Sequence, residues 1–180
     1  MERRKLKLDE LNRVDVDAFK SQEKQDIVVI LDNIRSLNNV GTFFRTGDAF
    51  NIKKIFLCGI TGTPPHRDIH KTALGSTESV DWEYYQDVLE LVNQLKSNGV
   101  KVYAVEQTEQ SMMLQHASAE ENKPLALIFG NEVEGVQQAL IDVADGVIEI
   151  PQFGTKHSLN VAVSMGIVLW EFTRRSLVPS

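Results

Sequence analysis

Five short apolar runs recur along the chain, each with the length and β-branched content of a strand buried on both faces. They are Ile27–Leu31, Lys54–Cys58, Val100–Val105, Leu125–Phe129 and Gly146–Ile150. Apolar residues at helical spacing lie before, between and after these runs. The spacing predicts helices over Leu8–Phe19, Thr42–Phe50, Gln86–Ser97, Val136–Val143 and Ser158–Arg174. Strands that alternate with helices predict an α/β fold on a mainly parallel sheet flanked by helices.

The last helical pattern is apolar around nearly its whole circumference. Such a helix must be buried on every side, either within the monomer or under a second subunit, and we expect the second arrangement. Ser158 stands where an N-cap is expected. Capping does not explain why Lys156, His157 and Asn160 also precede so apolar a helix.

The length of 180 residues fits one domain. Residues 1–26 are polar and predict a short N-terminal extension, followed by one domain over residues 27–180. No apolar run has membrane-spanning length and the start lacks a signal peptide's apolar core, so we expect a cytoplasmic protein without membrane contact. Cys58, the single cysteine, excludes an intramolecular disulfide and favours a buried hydrophobe over a nucleophile.

The formal net charge of −6 argues mildly against a nucleic-acid partner. Basic residues nevertheless cluster in MERRKLK and HRDIHK, as solvated surface charge or as a binding patch. Glycine-rich dinucleotide, P-loop and hydrolase-elbow motifs are absent from the sequence. His66 and His70 have i, i+4 spacing but no third ligand, so we expect no metal site.

Three predicted strands are followed by loops rich in Asn, Gly and charged or hydroxyl residues. The loops read DNIRSLNNVG after the first strand, GNEVEG after LALIF, and PQFGTKHSLN after GVIEI. The carboxyl ends of parallel strands meet at one edge of a sheet, where ligands bind. We therefore expect the three loops to share one site.

These loops resemble the motifs of the SpoU/TrmH family of RNA ribose 2′-O-methyltransferases, within the SPOUT superfamily. The residues that carry the resemblance are NNVGTFFRTGDAF, LIFGNEVEGV and IPQFGTKHSLNVAVSMGIVLWEF, in this order between Ile27 and Phe172. The sequence departs from the family pattern at Gln152, where Met is common, and at Ala162, where Ser is frequent.

The resemblance implies a fold with a deep C-terminal trefoil knot, a homodimer, and S-adenosyl-L-methionine (AdoMet) as cofactor. It implies methylation of a ribose 2′-hydroxyl in RNA, and the compact chain favours tRNA over rRNA. The implied cofactor site comprises Leu127, Ile128, Phe129, Gly130, Asn131, Glu132, Gly135, Ile150, Pro151, Gln152, Gly154, Ser158 and Leu159. Gly130 and Gly154 would let the main chain approach the ligand, or simply serve turns.

The implied catalytic residues are Arg45, Asn39, Ser158 and Asn160. Arg45 would accept the hydroxyl proton, or hold a phosphate and stabilise the forming oxyanion, because a guanidinium is rarely deprotonated. Asn39 would begin an Asn-x-Gly turn and orient Arg45 or the ribose, or would only form that turn with Gly41 at positive φ. Ser158 and Asn160 would face the active centre and position the hydroxyl or Arg45. Glu132 would help to bind the methyl donor, stabilise the second motif loop, or be an acidic residue at a helix N-terminus.

RNA contacts are expected from the basic amino terminus and from Arg35, His66, Arg67, His70 and Lys71. Two other functions remain open. One is a non-catalytic RNA-binding module with the same fold. The other is a small-molecule enzyme with His157 as general base, which the acidic composition suggests.

Overall fold

A seven-stranded, wholly parallel sheet forms the centre of the computed structural model, which describes residues 3–117 and 123–174. The strands are β1 Gln25–Asp32, β2 Ile52–Cys58, β3 Trp82–Tyr85, β4 Lys101–Val105, β5 Met112–Met113, β6 Leu125–Phe129 and β7 Gly146–Glu149. Their order across the sheet is β3-β2-β1-β6-β4-β7-β5. The predicted parallel α/β sheet is confirmed. The short strands β3 and β5 at its two edges were not predicted.

Helices cover both faces of the sheet. They are α1 Val16–Ser21, α2 Leu37–Ala49, α3 Arg67–Ala73, α4 Ser76–Ser79, α5 Val88–Ser97, α6 Gln138–Val143 and α7 Val161–Thr173. Side chains alternate along each strand, so Leu127 joins the core beneath α2 and α7, whereas Ile128 joins the core beneath α5 and α6. Phe43 of α2 meets Phe129 of β6 edge to face, with ring centroids 5.5 Å apart, which fixes α2 beside the end of β6.

The predicted helix over Leu8–Phe19 is wrong as a single element. A short 3₁₀ turn at Leu8–Leu11 ends at Asn12, which has a left-handed φ of 49°. Helix α1 then begins after Asp15, whose side chain accepts a hydrogen bond from the Ala18 amide. Both segments lack buried side chains among their described residues, so no apolar face holds them in one helix.

Helix α2 begins five residues before the predicted start at Thr42. Ser36 is its N-cap and accepts a hydrogen bond from the Asn39 amide over 3.3 Å. The predicted Asn-x-Gly turn is therefore wrong, because Asn39 and Gly41 both lie inside the helix. Gly41 serves close packing instead: a Cβ there would lie 2.3 Å from the carbonyl oxygen of Ile69 in α3.

Helix α6 begins two residues later than predicted, and the two amides before it bind carboxylates. The Val136 amide donates to Glu106, and the Gln137 amide donates to Asp32 over 3.0 Å. Asp32 is fully buried at the end of β1, and the Gln137 side chain also donates to it over 2.6 Å. These bonds fasten the loop after β6 to the end of β1.

Helix α7 begins at Val161 and is capped by Asn160, so the predicted cap at Ser158 is wrong. The Asn160 side chain accepts hydrogen bonds from the amides of Ala162 and Val163, over 3.0 and 3.4 Å. Met165 and Leu169 are fully buried, but Trp170 is 54% exposed. The prediction of burial on every side thus fails within a single chain. None of the helices in the described ranges is long and apolar enough to cross a bilayer.

Candidate active site

A cavity of about 690 Å³ opens at the carboxyl ends of the central strands. Its walls are the loops after β4, β6 and β7 and the first turn of α7. The strands concerned are neighbours in the sheet, and β1 lies beside β6. The cavity has the size of a site for a small organic cofactor. The predicted convergence of the loops after β6 and β7 is therefore confirmed.

The cavity wall combines apolar side chains with acidic ones. Phe129, Ile141 and Ile148 provide apolar surface, and three carboxylates, Glu106, Glu132 and Glu134, also line it. Among the described lining residues there is no Lys, Arg or His. Such a wall suits a ligand with an apolar ring and a positive charge, and disfavours a phosphate-bearing cofactor.

Glu132 joins the loop after β6 to the loop after β1. Its Oε2 accepts a hydrogen bond from the Arg35 amide over 2.9 Å, and its Oε1 accepts one from the Ser36 amide over 3.0 Å. The same Oε1 accepts from Nδ2 of Asn39 over 2.9 Å. Asn131 adds a bond from its side chain to the carbonyl oxygen of Asn33 over 2.8 Å. The carboxylate therefore braces the start of α2, one of the roles considered for it.

These bonds keep Glu132 ionised. Partial burial alone would raise the pKa of its carboxyl, but the amides of Arg35 and Ser36 and the side chain of Asn39 donate to the charged form. The net result is a pKa below the ordinary value of 4.5. The group is thus a fixed negative charge at the cavity wall at neutral pH.

Asn39 and Asn160 are directly bonded, which brings the first and third motifs together. Nδ2 of Asn160 donates to Oδ1 of Asn39 over 3.1 Å. A carboxylate only accepts, so Glu132 fixes which end of the Asn39 amide faces it. The remaining oxygen of Asn39 must then accept from Asn160, whose own oxygen caps α7. Both asparagines are thereby oriented by a chain of bonds that begins at Glu132.

Most of the predicted cofactor residues line the cavity. They are Phe129, Gly130, Asn131, Glu132, Gly135, Ile150, Gln152, Ser158 and Leu159. Four others are outside its lining. Leu127 and Ile128 are fully buried within β6, where their side chains fill the two cores, and Pro151 and Gly154 lie on the following loop.

The two predicted close-approach glycines differ. A Cβ on Gly130 would lie 2.1 Å from the backbone of Gly135 and Val136, so this glycine lets the loop close on itself. Asn131 and Gly135 then pair through two backbone hydrogen bonds. A Cβ on Gly154 would meet nothing within 4 Å, and no crowding explains a glycine there.

The sequence interpretation missed the loop after β4. Val105, Glu106, Gln107 and Thr108 line the cavity. The side-chain amide of Gln107 donates to the carbonyl oxygen of His157 over 2.8 Å, which ties this loop to the loop after β7. The sequence does contain a signal for this loop. A polar run follows the predicted strand Val100–Val105 and therefore begins at the same edge of the sheet as the other motif loops.

Arg45 is exposed on α2 and outside the cavity lining. It lies six residues after Asn39, about 9 Å further along the helix and about 120° around its axis. No hydrogen bond or ion pair in the described chain holds its guanidinium. Thr46 beside it lies next to α7, where a Cβ on Gly166 would be 3.9 Å away. The guanidinium is therefore free to bind an incoming group near the contact of α2 with α7.

Apart from the basic amino terminus, the predicted RNA-contact residues divide between two places. Arg35 is exposed beside Glu132, whereas Arg67, His70 and Lys71 are exposed on α3. His66 has a structural role as the N-cap of α3. Its Nδ1 accepts a hydrogen bond from the Asp68 amide over 3.1 Å. Since α3 packs tightly on α2 at Gly41, its basic side chains share the side of the molecule formed by these two helices.

Two other candidates for reactivity have no role in the site. Burial, and secondarily the charge of Asp32, raises the pKa of the fully buried Cys58 thiol to about 12, so it is not a nucleophile at neutral pH. In residues 3–117 and 123–174, no three His, Cys, Asp or Glu side chains are grouped to hold a metal ion.

Comparison with known proteins agrees with this geometry. The model of the SpoU rRNA Methylase family matches residues 26–170. The tRNA (guanosine(18)-2′-O)-methyltransferase of Thermus thermophilus is 30% identical over 168 residues, covering 93% of this chain and 84% of the relative. The 23S rRNA (guanosine-2′-O-)-methyltransferase RlmB of Vibrio parahaemolyticus is 27% identical over 168 residues, covering 93% of this chain and 67% of the relative.

Two solved structures share the fold. The TrmH/SpoU tRNA modifying enzyme of Aquifex aeolicus superposes with a TM-score of 0.80 at 26% identity, covering 90% of this chain and 82% of that chain. An AdoMet-bound rRNA methyltransferase from Sinorhizobium meliloti superposes with a TM-score of 0.78 at 29% identity, covering 89% of this chain and 61% of that chain. With the family model matching most of its length, the chain belongs to the SpoU rRNA Methylase family.

Proposed function

We propose that this protein is an AdoMet-dependent methyltransferase that modifies a ribose 2′-hydroxyl of RNA. The observation that carries the proposal is the cavity at the strand ends, whose acidic bridge Glu132 holds Asn39 of the first motif and, through it, Asn160 of the third. The three motifs of the family thus act on one site.

AdoMet fits the chemistry of the cavity. Its sulfonium carries a positive charge, which the carboxylates of Glu106, Glu132 and Glu134 favour, and its adenine suits the apolar wall. Phe129, Gly130, Ile150 and Leu159 would hold it with backbone and side chains. When bound, AdoMet supplies an electrophilic methyl group.

Arg45 is the proposed catalytic residue. Its exposed guanidinium binds the RNA phosphate next to the reacting ribose and stabilises negative charge on the 2′-oxygen as the hydroxyl proton passes to solvent water. Direct proton acceptance by Arg45 would require a neutral guanidine, a form that arginine side chains rarely adopt in proteins. The electrostatic role needs no such form.

Asn39 and Asn160 act as positioning residues, and Ser158 is the remaining candidate for contact with the hydroxyl. The amide groups of both asparagines are already bonded to each other and to Glu132 or α7. Ser158 lines the cavity, and no described residue bonds to its side chain. Its hydroxyl is therefore available to orient the ribose oxygen.

The active form is a homodimer in this proposal. Val163, Ile167 and Trp170 form an exposed apolar face on α7, with exposed fractions of 52, 37 and 54%. Burial of that face by a second copy would complete the core around the helix. We further propose a domain over residues 27–180 with a deep C-terminal trefoil knot, in which the segment before α7 passes through a loop beside the cavity.

The proposed substrate is tRNA in the cytoplasm. In this proposal the catalytic dimer recognises the RNA through the exposed basic side chains of α3 and through Arg35. These side chains contact phosphates, which position an RNA without specifying its sequence. Ribosomal RNA is the second candidate, as in the relative from Vibrio parahaemolyticus.

Transfer of a tritiated methyl group from AdoMet to RNA tests the function. The substrates are tRNA and rRNA purified from a strain that lacks the gene, so that the target positions are unmodified. We expect label in tRNA, recovered as an alkali-resistant dinucleotide because a 2′-O-methyl group blocks hydrolysis. Label in rRNA alone would contradict the choice of tRNA.

Calorimetric titration with AdoMet separates the alternatives. Absence of binding would contradict the enzyme and favour a non-catalytic RNA-binding module. Binding without label in any RNA would favour a small-molecule methyltransferase that uses His157 as base. Arg45→Ala protein is the matched control, because it lacks the proposed catalytic residue and keeps the cavity intact. Label found in RNA with this variant arises without catalysis by Arg45.

A further inference from the structure

Glu106 has a carboxylate that is fixed in place while part of its acceptor capacity is unused. It follows the last residue of β4 and lines the cavity. Its Oε1 accepts from the Gln107 amide over 2.8 Å, and its Oε2 accepts from the Val136 amide over 3.0 Å. A carboxylate has about four acceptor positions, so one remains on each oxygen.

Gly135 shows how closely the carboxylate is held. A Cβ at this glycine would lie 2.2 Å from Oε2 of Glu106. Gly135 also has a positive φ of 71°, which shapes the loop around the carboxylate. The acid thus lies against the end of the loop after β6, and its two oxygens have little freedom to move when a ligand binds.

The free acceptors identify the chemistry that they fit. Two carboxylate oxygens side by side match two hydroxyl groups on adjacent carbons, because each hydroxyl donates to one oxygen. Val105 and Ile141 also line the cavity and provide apolar surface for a ring attached to that diol. A ribonucleoside has both parts.

The geometry points to Glu106 as the residue that recognises the ribose of the cofactor, accepting hydrogen bonds from its 2′- and 3′-hydroxyls. This inference rests on the proposed function, because AdoMet is the nucleoside concerned. Glu106 becomes a specificity-determining residue, which selects ribonucleosides over deoxynucleosides in the cavity.

Calorimetric titration with S-adenosylhomocysteine and with its 2′-deoxy and 3′-deoxy analogues tests the assignment. Wild-type protein should bind the parent compound about tenfold to a hundredfold more tightly than either analogue, the range for a hydrogen bond to a charged group. In Glu106→Gln protein that preference should fall to roughly threefold or less, because the amide retains one acceptor and gains a donor. Glu109→Gln removes an exposed carboxylate from the loop after β4 that is outside the cavity lining, and should keep the wild-type preference.

5′-Methylthioadenosine, which has the ribose but no amino-acid portion, locates the contact. Glu106→Gln should weaken its binding by the same factor as that of S-adenosylhomocysteine. If only S-adenosylhomocysteine is weakened, the carboxylate binds the ammonium group and the assignment is overturned. If Glu106→Gln protein loses the same affinity for ribonucleosides and for deoxynucleosides, Glu106 only stabilises the loop. That result would also overturn the assignment.

The wild-type protein alone separates the two proposals. If it binds S-adenosylhomocysteine but does not distinguish the deoxy analogues, the role of Glu106 is wrong and the proposed function stands. If it binds none of these compounds, the proposed function fails, and the ribose assignment fails with it. Melting curves of each variant confirm that the titrations compare folded proteins.

Discussion

Asn160 donates a hydrogen bond to Asn39 over 3.1 Å, although the two residues are 121 positions apart in the chain. The bond joins the N-terminus of α7 to the first turn of α2. Its direction is set by Glu132, whose Oε1 accepts a hydrogen bond from Nδ2 of Asn39. One acidic side chain thus orders polar groups in all three motifs.

Substitution of Asn160 separates capping from positioning. Asn160→Ala should lower the free energy of unfolding by about 1 kcal/mol, since the amides of Ala162 and Val163 lose their acceptor. Asn160→Asp keeps the acceptor and should retain this stability. Both variants should lose methyl transfer, because neither donates to Asn39. Urea unfolding and single-turnover transfer rates measure the two effects, and a fully active Asn160→Asp protein would show that the bond to Asn39 is dispensable.

Glu132 makes the stability of the fold depend on pH. Because its pKa is depressed in the folded protein, the folded state binds this proton less readily than the unfolded state does. Its stabilisation is fully present above the ordinary value of 4.5 and is lost as the pH falls through the lower folded pKa. The difference in free energy of unfolding between wild type and Glu132→Gln should therefore shrink below pH 4.5.

Urea unfolding from pH 7 to pH 3 measures that difference. Glu134→Gln is the control, since it removes a neighbouring carboxylate whose side chain accepts no hydrogen bond from a described residue. The difference in free energy of unfolding between wild type and Glu132→Gln should change across the acid range. A constant difference would contradict a lowered pKa of the Glu132 carboxyl in the folded protein.

Arg45 should affect transfer without affecting the cofactor. Arg45→Lys keeps the charge but loses the planar fork, and Arg45→Ala loses both, so we expect transfer rates to fall about a hundredfold or more. Affinity for S-adenosylhomocysteine should stay at the wild-type value because Arg45 is outside the cavity lining. Arg174→Lys, at an arginine paired with Glu171, is the matched control. An Arg45→Ala protein with the wild-type rate would remove Arg45 from the mechanism.

Trp170 tests the dimer. Trp170→Glu places a charge on the exposed apolar face of α7 and should convert a dimer into a monomer at micromolar concentration, as measured by sedimentation equilibrium. Leu74→Glu alters a residue that is 67% exposed at the end of α3, and should leave the dimer unchanged. A wild-type protein that sediments as a monomer would contradict the arrangement.

The parallel sheet could be predicted because its evidence is local. Strands such as Ile27–Leu31 and Leu125–Phe129 are continuous apolar runs, which only a sheet covered on both faces can bury. The motif loops followed from the same reasoning, since the carboxyl ends of parallel strands meet at one edge. Helix starts were less accurate, because Ser36 and Asn160 act as caps only once distant residues have fixed the chain around them.

The role of Glu106 depends on contacts that the sequence does not display. Its partners are the amides of Gln107 and Val136, and the second of these is 30 positions away. The paired orientation of Asn39 and Asn160 likewise requires the assembled fold. Sequence reasoning found these asparagines as motif residues, but their bonds identify them as groups that orient others.

The cavity is built from chain segments made at very different times during translation. β1, β2, β4 and β6 are all complete once residue 129 has been added, whereas Ser164 still contributes to the cavity wall. A chain that ends between these two positions therefore contains the central strands and lacks part of the cavity wall. A C-terminal truncation at such a position would therefore remove ligand binding even if the central strands still paired.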